Sequence, residues 1–291
     1  MVLEKKQTLI LNPNNQIVHG LWIGGALSPL EVLCIESFLQ NGHQFYLWTY
    51  ETVLNVPKSA QLKDANFIIP EISVFKYQNK NKYGHGKDSY AGFSDVFRYK
   101  LLYDFGGWWT DMDITLLKSL DFEDEYVFRH HHKAGAVGNL MKTPQFAPIM
   151  KNCYEKAIIE VRQENQNWML PIEILNEGIT IFKLKNYIKE FSNIDSFPMV
   201  ATLLLKPKKI NENWFAIHWM NEEFRRLNLS KNCFEPKATI GFLLKKHGIE
   251  FEKYNKKNRV LNFIKLNRFY YLYVNLVARI TWFFNNLRNS K

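Results

Sequence analysis

The chain has 291 residues, 46% of them hydrophobic and 15% aromatic, which is enough to bury a sizeable core in one large domain or two small ones. Its formal net charge of +10 is unevenly placed: residues 237–291 hold 12 bases and 2 acids, so the first 236 residues are neutral. A neutral body excludes the groove-facing basic surface that nucleic-acid binding needs.

The three cysteines, Cys34, Cys153 and Cys233, are an odd number at no metal-like spacing and read as reduced thiols of a cytosolic protein. Residues 1–6 lack the apolar run of a signal peptide. Nothing reaches the ~18 uninterrupted apolar residues of a spanning helix.

In chain order, residues 17–25 read as a buried first strand entering a Gly turn. A helix is expected next. Ser28 suits the N-cap, Pro29 the first helical position and Glu31 the capping box. Leu30, Leu33, Cys34 and Phe38 supply the apolar stripe, and Gly42 the stop. Residues 45–50 read as a second strand, which makes a parallel α/β start. A third strand is expected over 64–70. Residues 79–89 read as a polar, Gly-containing mobile loop beside the active site.

Residues 94–113, SDVFRYKLLYDFGGWWTDMD, are the stretch around which the chain is organised. Val96, Phe97, Leu101 and Leu102 recur at helical spacing, with Asp95 and Arg98 on one side. Gly106-Gly107 stops that helix, and residues 108–110 read as a short buried strand. Asp111 and Asp113 follow it. Side chains at i and i+2 of a strand point the same way, so two carboxylates stand together. Such a pair is a hard oxygen site suited to Mn²⁺ or Mg²⁺, with open positions for substrate phosphates.

Residues 114–117 read as apolar and 125–128 as another strand, and a helix is expected over 144–162. His130, His131 and His132 are discounted as a metal site, because adjacent strand residues face opposite ways. Residues 176–180 are read as following another helix. Beyond residue 258, Asn262, Lys265, Arg268, Asn275, Arg279 and Asn286 fall on one helical stripe. Phe263, Phe269, Tyr270, Tyr273, Trp282 and Phe283 occupy the broad apolar remainder. That is an interfacial pattern, with basic residues near a headgroup boundary. The alternative is that this apolar face packs on the body or on a second subunit.

The pattern S-D-x-x-R-Y-x-x-L-Y-x-x-G-G-x-[WY]-x-D-x-D resembles the DXD-containing sugar transferases. These include the family 32-like group of yeast mannosyltransferase-like proteins, the α-1,4-glycosyltransferases and the glucosylating clostridial toxins. The run W-I-G-G-x-L-S-x-L-E at 22–31 and A-[IV]-H-x-x-N at 216–221 are similar to the same families, in their bacterial capsule and lipooligosaccharide branch. The resemblance covers about residues 17–226 and implies a GT-A-type α/β domain with a mostly parallel central sheet, over 1–236. The basic amphipathic extension, 237–291, lies outside it.

The resemblance implies a metal-dependent, retaining transfer of a hexose from a nucleotide sugar, UDP-linked in the commonest bacterial cases, to a glycan or glycolipid acceptor. Asp111, Asp113 and His218 become the expected metal ligands. Trp22, Ile23, Gly24, Ser94, Asp95, Arg98, Asp111 and Asn139 become the expected contacts to the nucleotide sugar. Asp95, Arg98, Asp111, Asp113 and Glu177 form the expected catalytic set, although relatives carry a Gly-Pro turn where this chain has Glu177-Gly178. A cytoplasmic enzyme, peripheral on the inner face of the cell membrane and held to its anionic surface by the extension, is the corresponding localisation. The rivals are a metal-dependent phosphodiesterase or nucleotide-sugar hydrolase, and a non-catalytic sugar-binding protein.

Overall fold

The structure, a computed structural model, describes residues 11–253 and 255–289. A short helix, α1 (Pro13–Gln16), leads into β1 (Ile17–Trp22), followed by α2 (Pro29–Gln40) and β2 (Gln44–Thr49). Ser28 caps α2 with its side chain, and Glu31 returns to the Ser28 backbone at 2.9 Å, so the expected capping box forms. Gly42 takes φ +91° just beyond the helix, a conformation that favours glycine. The third strand, β3 (Gln61–Asp64), lies earlier than the sequence suggested. Asp64 accepts the Asn66 N–H, starts a 3₁₀ turn at Ala65–Phe67 and ends the strand where it was expected to begin.

The central helix α3 (Ala91–Phe105) stops at Gly106, φ +65°. A Cβ there would lie 2.4 Å from the Gln145 backbone nitrogen, so the stop and the close chain crossing both require glycine. Then come β4 (Gly107–Thr110), β5 (Ile114–Leu116), β6 (Val127–His131) and β7 (Gly135–Thr143). Helices α4 (Pro148–Glu160) and α5 (Leu170–Ile181) precede β8 (Ile188–Lys189). Residues 176–180 therefore lie inside α5 rather than after a helix: Leu170 to Ile181 is one continuous helix, buried through Ile174, Leu175, Gly178 and Ile179.

Among the described residues, seven strands form the main sheet in the order β3-β2-β1-β4-β7-β6-β8. β1 pairs in parallel with β2 and β4, β2 with β3, and β6 with β8; β7 runs antiparallel to β4 and β6. Trp108 and Trp109 alternate across β4, one in the core beneath α2 and the other in the core beneath α3, α4 and α5. Both sheet faces are thus covered, as a parallel sheet requires.

A smaller antiparallel pair joins β5 to β9 (Ala216–His218), with Ile114 opposite His218. It brings the turn after β4 beside a strand more than 100 residues away. Helix α6 (Phe197–Leu205), α7 (Asn221–Arg226) and α8 (Thr239–Lys246) follow this layer, with α9 (Lys256–Lys265) and α10 (Arg268–Asn289) beyond. Leu30 and Leu33 of α2 share one buried cluster with Ile240, Leu243 and Leu244 of α8. Packing therefore continues across residue 236, where the charge distribution changes.

Candidate active site

The carboxyl ends of β1 and β4 open into a cleft of about 560 Å³, the end of a parallel sheet where ligands bind in open α/β folds. Asp111 and Asp113 line it, but not as i and i+2 of one strand. Regular β4 ends at Thr110, and residues 111–113 turn into β5. The carboxylates are instead held by two separate networks.

The first network comes from α3. Arg98 is 5% exposed, and its Nη2 meets Asp111 Oδ1 at 2.9 Å and Asp95 Oδ1 at 3.1 Å. Trp109 Nε1 donates to the same Asp111 oxygen at 2.8 Å, and the guanidinium lies 5.3 Å from a Trp109 ring centroid. Gly138 gives the guanidinium room, because a Cβ there would stand 2.6 Å from Nη1. Burial raises the Asp95 pKa to about 7; Arg98 opposes the shift and Asp111 adds to it. Burial also raises Asp111, against the pull of Arg98 and with the push of Asp113.

The second network comes from β9. His218 Nε2 lies 3.3 Å from Asp113 Oδ2, and its Nδ1 bonds Asp195. The Asn221 N–H donates to Asp113 Oδ2 at 2.6 Å, and the Trp219 N–H to the Asp113 carbonyl at 3.0 Å. Asp195 also pairs with Arg129 Nη2 at 2.6 Å. Burial alone would lower the His218 pKa, but Asp113 and Asp195 on either side raise it to about 9. Burial alone would raise Asp113 and Asp195, but His218, joined by the Asn221 N–H at Asp113 and by Arg129 at Asp195, holds both below the usual carboxylate range.

Asn139 ties the two networks together. Its side-chain oxygen accepts from Arg129 Nε at 2.8 Å, and its carbonyl accepts the Asp111 N–H at 2.8 Å. It lines the cleft, as do Trp22, Ile23 and Ser94. Trp22 brings an indole Nε1–H that is buried and has no hydrogen-bond partner. Gly24 adjoins this ring, where a Cβ would be 3.4 Å from Trp22 Nε1, and is not among the residues that line the cleft. Lys231, bonded to Glu31 at 2.5 Å, lies 5.3 Å from the Trp22 ring centroid.

Glu177 is placed elsewhere. It sits half exposed on α5, pairs with Lys156 and is not among the residues that line the cleft. The neighbouring Asn176 points inward, bracketing the Ala136 N–H and carbonyl at 2.9 and 2.8 Å. The expected loop at 79–89 does border the cleft through His85, Asp88 and Ser89. It is tied to α7, with the Gly86 N–H on Glu222 at 2.9 Å and His85 on Glu223 at 3.2 Å. In the triple-His run, only His131 lines the cleft; its Nε2 lies 3.6 Å from Asp195 Oδ2.

Asp195 and Arg129 are the functional candidates that sequence reasoning missed. Asp195 stands in no recognisable motif, and Arg129 reads as one residue of an ordinary strand. Only the β5–β9 pairing shows what they support.

The side chains suit a divalent cation in part. Cis ligands of an octahedral ion at ~2.1 Å stand roughly 3 Å apart. The 3.3 Å between Asp113 Oδ2 and His218 Nε2 is close to that spacing. Asp195 on His218 Nδ1 supplies the carboxylate–histidine pairing that orients metal-bound imidazoles. Among the described residues, no three His, Cys, Asp or Glu side chains converge as a complete site.

Comparison with known proteins adds to this geometry. No curated protein matches the chain. Among solved structures, "PaToxG Glycosyltransferase" is similar at 12% identity and a TM-score of 0.42, over 91% of this chain and 86% of that one. A transferase mutant is similar at 11% identity and a TM-score of 0.36, over 61% of this chain and 87% of that one. Residues 29–133 match the family model described as "Glycosyltransferase sugar-binding region containing DXD motif". That match spans α2, α3, the Asp111–Asp113 turn and β6, and with the mostly parallel sheet it identifies a GT-A-type fold and a transferase enzyme of the glycosyltransfer class.

Proposed function

We propose that the protein is a metal-dependent, retaining hexosyltransferase. It would move a hexose from a UDP-sugar to a glycan or glycolipid acceptor in bacterial surface polysaccharide or lipooligosaccharide synthesis. The observation that carries this reading is the meeting of Arg98, Asp111, Asp113 and His218 in one cleft at the end of β4.

Asp111, Asp113 and His218, whose Nε2 would give up its proton to bind the ion, would hold Mn²⁺ or Mg²⁺, which would neutralise charge on a departing nucleoside diphosphate. The chain's own groups then have distinct tasks. The unpartnered Trp22 indole N–H offers a fixed donor to a base or ribose acceptor. Lys231, beside that ring, places a cation near the diphosphate path. Arg98 and Asp95 face the sugar from α3, where a planar guanidinium can hold two oxygens at once. Asn139 and Arg129 keep the two carboxylate networks in register rather than touching the reacting atoms. Retention would follow front-face displacement through an oxocarbenium-like state, which needs no nucleophile from the protein.

The test is a panel of UDP- and GDP-sugars incubated with Mn²⁺, Mg²⁺ or chelator, with and without glycan acceptors. Cation-dependent turnover that quickens with acceptor supports the reading. Release of sugar that no acceptor influences would favour the hydrolase instead, and donor binding without turnover would favour the sugar-binding protein.

A further inference from the structure

Helix α10 shows an amphipathic pattern turned outward. Phe269, Leu272, Tyr273, Leu276, Val277, Ile280, Phe283 and Phe284 repeat at helical spacing and share one face. All eight are exposed, from 42% at Val277 to 80% at Phe269. On α9, Val260, Leu261, Phe263 and Ile264 are also exposed. A row of eight exposed apolar side chains along one helix face is the kind of surface that marks a docking site.

The opposite side of α10 is attached to the body. Tyr270, Tyr271 and Val274 pack against the cluster that holds α6 and α8. The Tyr271 hydroxyl donates to Glu223 at 3.1 Å, and Asn275 Oδ1 accepts from Arg226 at 2.8 Å. The polar stripe expected from the sequence is therefore partly spent on the inside: Asn262 is buried and Asn275 faces Arg226. The body takes one narrow side of the helix and leaves the broad apolar face out.

Charge identifies what covers that face. The tail carries 12 bases against 2 acids, and Lys253, Lys257, Arg259, Arg268 and Arg279 are exposed around the two helices. A second copy would set two such tails against each other, so like charges oppose self-association. An anionic lipid surface matches both properties at once. No helix among the described residues is long and apolar enough to cross a membrane; the face suits lying along the surface. We infer that the α9–α10 face docks the protein onto an anionic lipid bilayer, with apolar side chains at the acyl boundary and the basic residues among the headgroups.

Vesicle co-sedimentation of the full chain tests this. Wild type is expected to sediment with phosphatidylglycerol-containing vesicles at low salt and far less with neutral phosphatidylcholine. Leu276→Glu with Ile280→Glu should weaken anionic-vesicle binding more than tenfold, with melting temperature and cation-dependent nucleotide-sugar turnover unchanged. Lys257→Gln with Arg268→Gln adds no charge to the apolar face and should cost roughly fivefold per cation on anionic vesicles. The inference is overturned if wild type stays in the supernatant with anionic vesicles at low salt. It is equally overturned if neutral and anionic vesicles bind it alike. A dimer in sedimentation velocity that L276E/I280E dissolves, without vesicle binding, would show self-association instead. The vesicle-binding, melting and sedimentation readouts need no sugar transfer, so the inference stands or falls separately from the proposed reaction.

Discussion

Gly138→Ala perturbs the cleft at one atom. The added Cβ would stand 2.6 Å from Arg98 Nη1, 3.3 Å from Cδ and 3.5 Å from Cζ. The backbone tolerates alanine, since Gly138 is not among the positive-φ glycines. Ordinary contact begins near 3.4 Å, so the guanidinium must retreat by about 0.8 Å or rotate. Its bonds to Asp111 at 2.9 Å and Asp95 at 3.1 Å would then stretch or break. Loss of one hydrogen bond to a charged group costs ~1.5–3 kcal/mol, which is roughly ten- to a hundredfold in kcat/KM. The assay is nucleotide-sugar turnover in Mn²⁺ beside a thermal melt. Wild-type turnover with an unchanged melting temperature would refute the role given to the Arg98–Asp111 contact.

Three further outcomes are expected. His218→Ala should raise the Mn²⁺ concentration needed for half-maximal turnover; an unchanged metal titration with a lowered melting temperature would make His218 a packing residue only. Asp195→Asn should shift the same titration in the same direction by a smaller amount, because it acts through His218 Nδ1, and a variant indistinguishable from wild type would dismiss that support. Acid should destabilise the fold through His43, whose Nδ1 bonds the Asn15 carbonyl at 2.8 Å while Nε2 accepts the Leu120 N–H at 3.1 Å. Burial lowers its pKa from 6.5 to about 4, so the unfolded chain binds the extra proton and stability falls as pH drops from 6.5 to 4. That one proton is worth about 1.4 kcal/mol per pH unit inside the window; His43→Gln should show a shallower loss, and parallel wild-type and variant curves would contradict the assignment.

What was legible in the sequence was local. Ser28, Pro29 and Glu31 announced α2 because a capping box is written in consecutive residues. Gly106-Gly107 and the two tryptophans announced the end of α3 and a short buried strand after it for the same reason. Asp64 was misread as a strand start because its side chain caps the next turn, a choice hydropathy does not register. The Asp111–Asp113 pair was found, but through a strand rule that the turn does not obey. Asp111 is held by Arg98 from the same stretch, whereas the support of Asp113 by His218 and Asp195 depends on β5 meeting β9 across more than 100 residues, and no short spacing reports such a pairing. Glu177 stands in the catalytic set that the resemblance implies, and only the placement of α5 shows it paired with Lys156. The apolar periodicity of the tail was visible, but which face the body would take was not.

The most direct test is cation-dependent nucleotide-sugar turnover by wild type, Asp111→Asn and Asp113→Asn, each with a melting curve. Each substitution replaces an anionic oxygen ligand with a neutral group of the same shape, so the fold should persist. Wild type should turn over a nucleotide sugar with Mn²⁺ or Mg²⁺ and stop with chelator, while both variants fall to background yet still melt cooperatively as folded proteins. Near-full activity of both variants in the presence of chelator would contradict a metal-dependent reaction at this pair.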